Sequence, residues 1–383
     1  MNSTNDGTSP NRPLAVLRAM IDAIDHDVLQ LLARRTALVG EIAAYKREHG
    51  VRIRDAARER AILDDRCAQA ERLGLPRDAV EAMYRLILLA SRDHQAALRA
   101  ELPLEVESRV VAIIGGAGAM GQCLARIFGD LGHAVMIADL ETDLTPVEAA
   151  RIADVVVISV PIPVTEAVIR EVGPQVRPEA LLMDVTSVKQ GPMAAMLEST
   201  SASVVGTHPM FGPDVHSFQG QRVVLCPGRG AQWAKWLSRM FNARGLIVTE
   251  ATPEQHDRVM AAVQVLTHFQ TEVQGLVLSR LGVPLSETLA FTSPAYLLEL
   301  YVIARHFAQD PELYGPIEMT NPLRDQVTTA FQAAGEHLAG VLAAGDQAAF
   351  AAVFDEVRRY FGSFTTEALE QSKFLIDRLV ERS

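Results

Sequence analysis

One uninterrupted amphipathic stretch near the start of the chain constrains the fold more than any other feature. After Pro13 no proline occurs before Glu48 and the only glycine is Gly40, while apolar side chains recur every three or four positions. This period predicts a single amphipathic helix, and at ~1.5 Å per residue the helix would extend for about 50 Å. A helix of this length exceeds one small core, so we expect it to pack along a partner helix.

The rest of the chain changes pattern twice. Helical spacing continues in 56–72 and 77–100, and from residue 110 short apolar runs alternate with helical segments, which predicts a parallel α/β sheet. The predicted strands begin at Val110, Ala134, Val155 and Ala180. Beyond residue 250 only helical patterns remain. We therefore predict a multidomain chain with an all-α three-helix domain in 1–102, an α/β Rossmann-like domain in 103–250 and an all-α domain in 251–383.

Composition limits where such a chain works and what it binds. The 383 residues carry a formal net charge of −11, which argues against nucleic acid as a partner. Three scattered cysteines give neither a disulfide framework nor metal-ligand spacing. No signal pattern opens the sequence, and the most apolar run, 155–164, is short and contains two prolines. We expect a cytoplasmic protein with no metal site and no membrane partner.

Three cations interrupt the apolar seam of the long predicted helix. Arg18, Arg35 and Lys46 occupy positions of the three-and-four spacing that should be apolar. Only four of the 36 Lys and Arg residues are lysine, so Lys46 is more informative than either arginine. Cationic side chains at the edge of an apolar face can extend into water. If they are buried, they require carboxylates of the chain or an anionic ligand.

Polar residues on the next two predicted helices complete a recognisable set. Asp55, Arg58 and Glu59 share one face at the start of the second helix, and Ser91 and Gln95 lie one turn apart on the third. Together with the three cations, these positions resemble the AroQ-class chorismate mutase domain in order, spacing and register across about the first hundred residues.

This resemblance implies a site for a one-substrate pericyclic rearrangement, which a protein accelerates by holding a compact conformer and stabilising developing charge. Arg18 and Arg35 would bind the two carboxylates of chorismate. Lys46 and Gln95 would donate to its ether oxygen. Glu59 would orient the substrate, with support from Asp55, Arg58 and Ser91. The family fold is an intertwined dimer, so Arg18 is expected to reach the site of the partner subunit.

A glycine turn follows the first predicted strand. Gly116, Gly118 and Gly121 form a G-x-G-x-x-G pattern before a predicted helix, and Asp139 ends the next strand 23 residues after Gly116 (139 − 116). This combination predicts dinucleotide binding, with the pyrophosphate at the helix N-terminus and Met120 within the binding turn. Asp139 would bind the ribose hydroxyls and repel a 2′-phosphate, which favours NAD over NADP.

Three later loops, 160–166, 184–189 and 206–213, follow apolar runs at the edge where α/β enzymes place ligands. His208 opens a loop rich in glycine and proline near the expected nicotinamide end, and Lys189 lies in the loop before it. A lone histidine beside proline is more often a turn residue than a catalytic one. The position of His208 nevertheless makes it a candidate acid or base.

These loops, with segments 298–300 and 305–311, resemble prephenate dehydrogenase, and the whole chain resembles the bifunctional chorismate mutase/prephenate dehydrogenase family of tyrosine biosynthesis. The resemblance implies NAD as cofactor, chorismate and prephenate as substrates, and a homodimer formed by the C-terminal helices. It makes His208 the catalytic histidine and Arg305 the ligand of a substrate carboxylate, with Ser187 and His268 as candidates for polar contacts. The chain departs from the family pattern at Leu297, where an arginine is expected.

Two other functions fit parts of the pattern. A dehydrogenase of a β-hydroxy acid or of arogenate would share the Rossmann and helical plan. A regulatory protein could keep a degenerate mutase domain to sense aromatic metabolites. The mutase pattern ahead of the dehydrogenase favours prephenate, and the presence of Lys46, Glu59 and His208 argues against a purely regulatory role.

Overall fold

The N-terminal unit consists of the three helices that the sequence predicts. The computed structural model describes residues 12–49, 55–100, 107–215 and 217–380. Helix α1 spans Leu14–Glu48, α2 spans Ala56–Arg72 and α3 spans Arg77–Ala100. Both α1 and α2 pack against α3. Gly74, between α2 and α3, has a φ of +70°, a conformation that glycine adopts without strain.

Helix α1 carries an apolar face that its own chain covers only in part. Val39 and Ala43 in its last third are buried. In its first half, Ile21 is 58% exposed and Ile24 is 59% exposed. Apolar surface of this extent on one helix marks an interaction face. The expectation that a helix of this length needs a partner agrees with this distribution.

The central unit is built on one seven-stranded sheet with the order β2-β1-β3-β4-β5-β6-β7. The strands are β1 Val110–Ile114, β2 Ala134–Ala138, β3 Val155–Ile158, β4 Leu181–Asp184, β5 Ser203–Pro209, β6 Arg222–Arg229 and β7 Ile247–Glu250. Every neighbouring pair is parallel except β5 and β6. The sequence predicted the first four strands and their parallel pairing, and both are confirmed; the antiparallel pair lies beyond them. Strands β5 and β6 follow each other with no intervening helix, and such a direct return produces antiparallel pairing.

Helices cover both faces of the sheet. The helices of this unit are α4 Ala119–Asp130, α5 Pro146–Ile152, α6 Ile162–Val172, α7 Gln190–Ser199 and α8 Ala231–Ala243. Helices α4 and α8 enclose one apolar core, and α5, α6 and α7 enclose the other. Along β1, Ile113 faces the first core and Ile114 the second. Because both faces are buried, the strands read as continuous apolar runs.

The C-terminal unit is helical throughout its described residues. Its helices are α9 Pro253–Met260, α10 Thr267–Arg280, α11 Leu285–Ala290, α12 Pro294–Phe307, α13 Pro311–Thr320, α14 Arg324–Ala344, α15 Gln347–Phe361 and α16 Phe364–Val380. A π-helical turn, Ala261–Leu266, joins α9 to α10. Gly362, whose φ is +52°, separates α15 from α16. None of the helices in the described parts of the chain is long and apolar enough to cross a membrane.

A buried ion pair lies where the sheet meets the C-terminal unit. The side chains of Lys189 and Asp184 are both 0% exposed, and the Lys189 Nζ contacts Asp184 Oδ2. Thr186 donates its backbone N–H to the same carboxylate over 3.0 Å. Burial of either charge without the other is costly because a low-dielectric interior cannot replace the lost water.

We predict that Lys189→Met destabilises the protein, because it leaves the Asp184 carboxylate buried without its cation. The expected loss is about 3–5 kcal/mol, and it is measured as a lower midpoint of thermal unfolding. Lys235→Met is the matched control, since Lys235 is exposed on α8. Equal midpoints for the two variants would contradict the proposed dependence on the buried pair.

Candidate active sites

The glycine turn connects β1 to α4 with little room for side chains. A Cβ on Gly115 would lie 2.4 Å from the Ser159 carbonyl oxygen, and a Cβ on Gly121 would lie 2.6 Å from the Gly115 carbonyl oxygen. Gly118 precedes the first residue of α4 and differs from these two. A Cβ there would meet only the Gly115 carbonyl oxygen, at 3.4 Å. The outer side of Gly118 therefore leaves an open approach to the helix N-terminus, as a pyrophosphate requires.

Asp139 closes this turn at the end of β2. Its Oδ2 accepts the N–H of Ala117 over 2.9 Å, and its Oδ1 accepts the N–H of Leu140 over 2.8 Å. Glu141 and Asp143 follow within four residues, so the region carries three carboxylates. Met120 contacts the apolar core beneath the turn and is partly buried there. The turn thus fits a dinucleotide whose ribose is not phosphorylated.

His208 lies near the carboxyl end of β5 and is 3% exposed. Its Nδ1 is 2.9 Å from Nε2 of His256, whose own Nδ1 is 2.8 Å from Asp257 Oδ1. On its other side, His208 Nε2 is 3.5 Å from Nε2 of Gln264 in the π-helical turn. Burial holds the pKa of His208 well below its usual value, and the neighbouring His256 and the Lys189 ammonium lower that pKa further. At neutral pH the imidazole is therefore uncharged and able to accept a proton.

Asp257 joins this histidine pair to the elements around it. Its carboxylate accepts the backbone N–H of Lys189 over 2.8 Å and that of Gln190 over 3.0 Å, which caps the N-terminus of α7. Burial raises the pKa of Asp257, but hydrogen bonds from His256 and from these two N–H groups outweigh burial, and the pKa lies below its usual value. Its backbone oxygen accepts the side-chain amide of Asn321 over 3.0 Å.

The other predicted dehydrogenase residues lie on neighbouring elements. Ser187 is half-buried in the loop between β4 and α7. His268, on α10, packs edge-on against Tyr314 with ring centroids 4.8 Å apart, and its Nδ1 is 3.8 Å from Glu318 Oε1. Arg305 is exposed on α12. The next residue, His306, brings α12 against α10, because its Nε2 is 3.1 Å from Glu272 Oε1.

A cavity of about 630 Å³ opens beside this group, and Glu272, His306, Tyr314 and Glu318 contribute to its lining. Burial and the neighbouring Glu272 carboxylate raise the pKa of Glu318 to about 8. Burial lowers the pKa of His268, with a further contribution from His306. The sequence analysis named His268 as a candidate for a polar contact but gave no indication of the acidic pair Glu272 and Glu318. In the described residues, no three His, Cys, Asp or Glu side chains are grouped to hold a metal ion.

The N-terminal helices place Arg35 and Gln95 beside Ser91. Arg35 on α1 donates from Nη1 to the hydroxyl of Ser91 on α3. Gln95, 8% exposed, donates to the Ser91 carbonyl oxygen over 3.2 Å, and its own Oε1 has no hydrogen-bond partner among the described residues. Lys46 is half-buried near the end of α1. An orphaned amide oxygen and the Arg35 guanidinium, on side chains that both contact Ser91, are suited to a polar, anionic ligand.

Glu59 on α2 has a partner that the sequence analysis missed. Both of its carboxylate oxygens accept from Arg92 Nη1 at 2.8 Å, and both side chains are about one-fifth exposed, at 20% and 22%. Arg92 follows Ser91 directly on α3. Because arginine is abundant throughout this chain, nothing in the sequence distinguished Arg92 from a solvated surface cation.

Three predicted residues lie at the edge of this cluster or away from it. Asp55 caps α2, since its Oδ1 accepts the N–H of Arg58 over 2.9 Å. The side chain of Arg58 is exposed. Arg18 is 17 positions before Arg35 on the same helix (35 − 18), which separates them by about 26 Å at ~1.5 Å per residue. One chain therefore does not bring Arg18 to the other mutase residues.

The N-terminal unit has three helices with a cluster of polar and cationic side chains. It is joined to a Rossmann unit with a buried neutral histidine and to a helical unit. This combination defines the class as a mutase fused to a nicotinamide-dependent dehydrogenase. Three family models match the chain. They are chorismate mutase type II over residues 17–96, the nucleotide-binding domain of prephenate dehydrogenase over 131–249, and the dimerization domain of prephenate dehydrogenase over 252–356.

Full-length relatives share this organisation. The T-protein of Enterobacter agglomerans is 36% identical over 366 residues, covering 95% of this chain and 97% of that protein. The T-protein of Haemophilus influenzae is 34% identical, covering 94% and 96%. The crystal structure of prephenate dehydrogenase from A. aeolicus with hydroxyphenyl propionate and NAD+ shares the fold, with a TM-score of 0.56 at 19% identity over 67% of this chain and 98% of that one.

The chain belongs to the T-protein family. It rearranges chorismate to prephenate and then converts prephenate to 4-hydroxyphenylpyruvate with NAD, in tyrosine biosynthesis. The family, fold class and paired activities that the sequence predicted are confirmed. The nucleotide-binding model begins at residue 131, after the glycine turn, so the geometry of the turn is an independent observation.

We predict that Gly118→Ala weakens NAD binding without destabilising the fold. Its methyl group fits the chain but narrows the approach to the helix N-terminus, so the Kd for NAD should rise about tenfold, equal to about 1.4 kcal/mol. Isothermal titration calorimetry and the midpoint of thermal unfolding measure the two effects. Gly129→Ala, on the same helix with no atom within 4 Å of the added Cβ, should change neither. An unaltered Kd for Gly118→Ala would argue against pyrophosphate at this turn.

Proposed function

We propose that the chain divides into a mutase domain in 1–102, a dinucleotide-binding domain in 103–250 and a dimerisation and substrate domain in 251–383. The ranges of the three family models support these boundaries, since each model lies within one domain. The protein acts as a homodimer in the cytoplasm on small-molecule substrates. Its net charge of −11 supports the absence of a nucleic-acid partner.

His208 is the general base of the dehydrogenase. The observation that supports this role most directly is its burial as a neutral imidazole at the carboxyl edge of the sheet, the edge to which the glycine turn also belongs. Its Nε2 accepts the hydrogen bond of the ring hydroxyl of prephenate and takes that proton as the C–O bond gains carbonyl character. The proton returns to the oxygen when the ring becomes aromatic.

Gly116, Gly118, Met120, Gly121 and Asp139 would hold NAD+. When bound, the cofactor would supply the acceptor for the hydride that leaves the ring carbon bearing the hydroxyl, while the ring carboxylate departs as carbon dioxide. Asp139 binds the adenosine ribose and selects against NADP. The two acidic residues after it, Glu141 and Asp143, support that preference because a 2′-phosphate would be repelled.

The C-terminal helices bind the rest of prephenate. Arg305 pairs with a substrate carboxylate, for which the planar guanidinium supplies two parallel donors. His268 and Ser187 make polar contacts to the substrate. The contact of His306 with Glu272 supports a common location, since it brings the helix of Arg305 against the helix of His268. Leu297, half-buried on α12, supplies no cation here, so this role depends more strongly on Arg305.

The mutase domain works without proton transfer. Arg35 and, from the partner subunit, Arg18 bind the two carboxylates of chorismate and favour its compact conformer. Lys46 and Gln95 donate to the ether oxygen as the breaking bond makes it negative. Glu59 orients the ring hydroxyl, with Asp55, Arg58 and Ser91 in support. The salt bridge from Arg92 supports this role because it fixes the Glu59 carboxylate in the cleft.

We predict that His208→Asn abolishes the dehydrogenase and leaves the mutase intact. The purified full-length variant is given chorismate with NAD+, and prephenate with NAD+ in a parallel assay. The normal protein should form NADH from both substrates. The variant should form none from either, yet still consume chorismate at the normal rate. NADH formation by the variant would overturn the assignment of His208 as the base.

The low pKa of His208 adds a pH dependence to the same assay. Protonation removes the base, so kcat/KM should fall only at pH values below the usual histidine range of about 6.5.

We predict that two mutase variants complement each other in mixed dimers. Arg18→Ala and Arg35→Ala should each be inactive alone. If Arg18 acts across the dimer, a mixed dimer contains one site with both defects and one intact site. A 1:1 population of subunits should then recover about a quarter of the normal mutase activity, because half of the dimers are mixed.

Co-expression of differently tagged chains provides these mixed dimers. Arg35→Ala mixed with Glu59→Ala is the matched control, since both residues belong to one chain's site and each site keeps a defect. Recovery in the control, or none in the Arg18 mixture, would contradict the proposed arrangement. Dehydrogenase activity reports the folding of every preparation.

A further inference from the structure

The proposed base does not lie alone in the interior. Asp257, His256 and His208 form a chain of side chains, joined at 2.8 Å and 2.9 Å, and none of the three residues is more than 3% exposed. Two of them, His256 and Asp257, belong to α9 at the start of the C-terminal unit. The base itself belongs to β5 of the sheet.

The ionised carboxylate of Asp257 determines which atom donates in each hydrogen bond of this series. The pKa of Asp257 lies below its usual value, so its carboxylate is ionised at neutral pH and can only accept. His256 must therefore carry its proton on Nδ1. A neutral His256 then presents a lone pair at Nε2, which can only accept a proton donated by His208 Nδ1.

Gln264 contacts the opposite side of the His208 ring and is consistent with the same assignment of donors and acceptors. Its amide nitrogen is 3.5 Å from His208 Nε2 and is a donor, so it faces a lone pair only if His208 is protonated at Nδ1. The contact with His256 thus favours one tautomer of the proposed base, and the longer contact with Gln264 is compatible with that tautomer. In that tautomer, the Nε2 lone pair can accept the substrate proton, with only the long 3.5 Å contact of the Gln264 amide beside it.

We propose that His256 is a positioning residue of the dehydrogenase, which, held by Asp257, fixes the tautomer and ring orientation of His208. This inference rests on the proposed role of His208 as the base. When His208 takes the proton of the substrate at Nε2, its Nδ1–H remains donated to His256. The nearby Asp257 carboxylate then stabilises the positive charge that has formed. The arrangement uses the same physical principle as the carboxylate that orients histidine in hydrolytic triads.

Two substitutions at one position separate this role from simple packing. His256→Leu fills similar space but offers no acceptor to His208 Nδ1–H. His256→Gln places an amide near the position of the lost Nε2, and its oxygen can accept the same hydrogen bond. We expect His256→Leu to lower the dehydrogenase kcat at least 100-fold with little change in the KM for prephenate. His256→Gln should remain within about tenfold of the normal kcat.

The tautomer itself can be measured without turnover. In full-length protein labelled with ¹⁵N-histidine, the His208 signals are assigned by their loss in His208→Asn. The normal protein and His256→Gln should show a protonated Nδ1 and an unprotonated Nε2 at His208. His256→Leu should shift the ring toward the Nε2-protonated form. His337→Leu, which replaces an exposed histidine on α14, should change neither kcat nor the His208 signals.

The outcomes distinguish this inference from the assignment of the base. Activity in His208→Asn would overturn the base, whatever the result at His256. With His208→Asn inactive, a normal kcat in His256→Leu would overturn the positioning role. So would an equal loss in His256→Leu and His256→Gln with an unchanged tautomer, because packing alone would explain it. Normal mutase activity in each preparation shows that the chain has folded.

Discussion

The structure of the dehydrogenase half depends on the hydrogen bonds that the buried Asp257 carboxylate accepts. It is 1% exposed, so it must be satisfied by the protein itself. Its partners come from two units: the N–H groups of Lys189 and Gln190 at the start of α7, and the imidazole of His256 on its own helix. A buried anion with these partners fixes where the C-terminal unit meets the sheet. The same contact sets the position of the histidine pair, so the domain junction and the catalytic geometry cannot change independently.

A buried cation complements this anion on the sheet side. Lys189 pairs with Asp184, and Thr207, immediately before the base, donates its hydroxyl to the Asp184 carbonyl oxygen over 2.5 Å. The ammonium group of Lys189 also contributes to the low pKa of His208. The pair therefore has two effects: it satisfies charges that burial would otherwise penalise, and it keeps the neighbouring base neutral. Stability and reactivity at this edge of the sheet arise from the same buried charges.

Sequence periodicity predicted the long elements well, because an element buried on one face has apolar residues at regular intervals. The three N-terminal helices and the strand, turn and helix around Gly118 are of this kind. Strand β5 was missed since its sequence, Ser203–Pro209, contains glycine, histidine and proline, and its burial comes from helices packed on both faces. The π-helical turn that carries Gln264 was also missed, because one extra residue per turn hardly alters an apolar pattern.

The candidate sites were predictable to the extent that their chemistry is carried by single residues. His208 and the mutase cations were singled out as candidates by residue type and spacing, and their roles were implied by the family resemblance. His256 was not, because it lies 48 residues from His208 in a segment with an ordinary helical pattern, and only the tertiary fold joins them. Arg92 was missed for a different reason, since in a chain that uses arginine almost throughout, residue type alone does not separate a site cation from a surface one.

The two halves of the chain differ in how completely one copy forms its site. In our proposal, the orientation of His208 is determined within one chain, by His256 on α9 of the same copy. The mutase cleft contains Arg35, Glu59 and Gln95, but Arg18 lies far along α1, on the part of the helix whose apolar face is exposed. Covering that face buries apolar surface and brings in a second cation by the same movement. Association through α1 would thus stabilise the long, half-covered helix and would also supply the second cation to the mutase site. Mutase activity should therefore depend on dimer formation more directly than the orientation of His208 does.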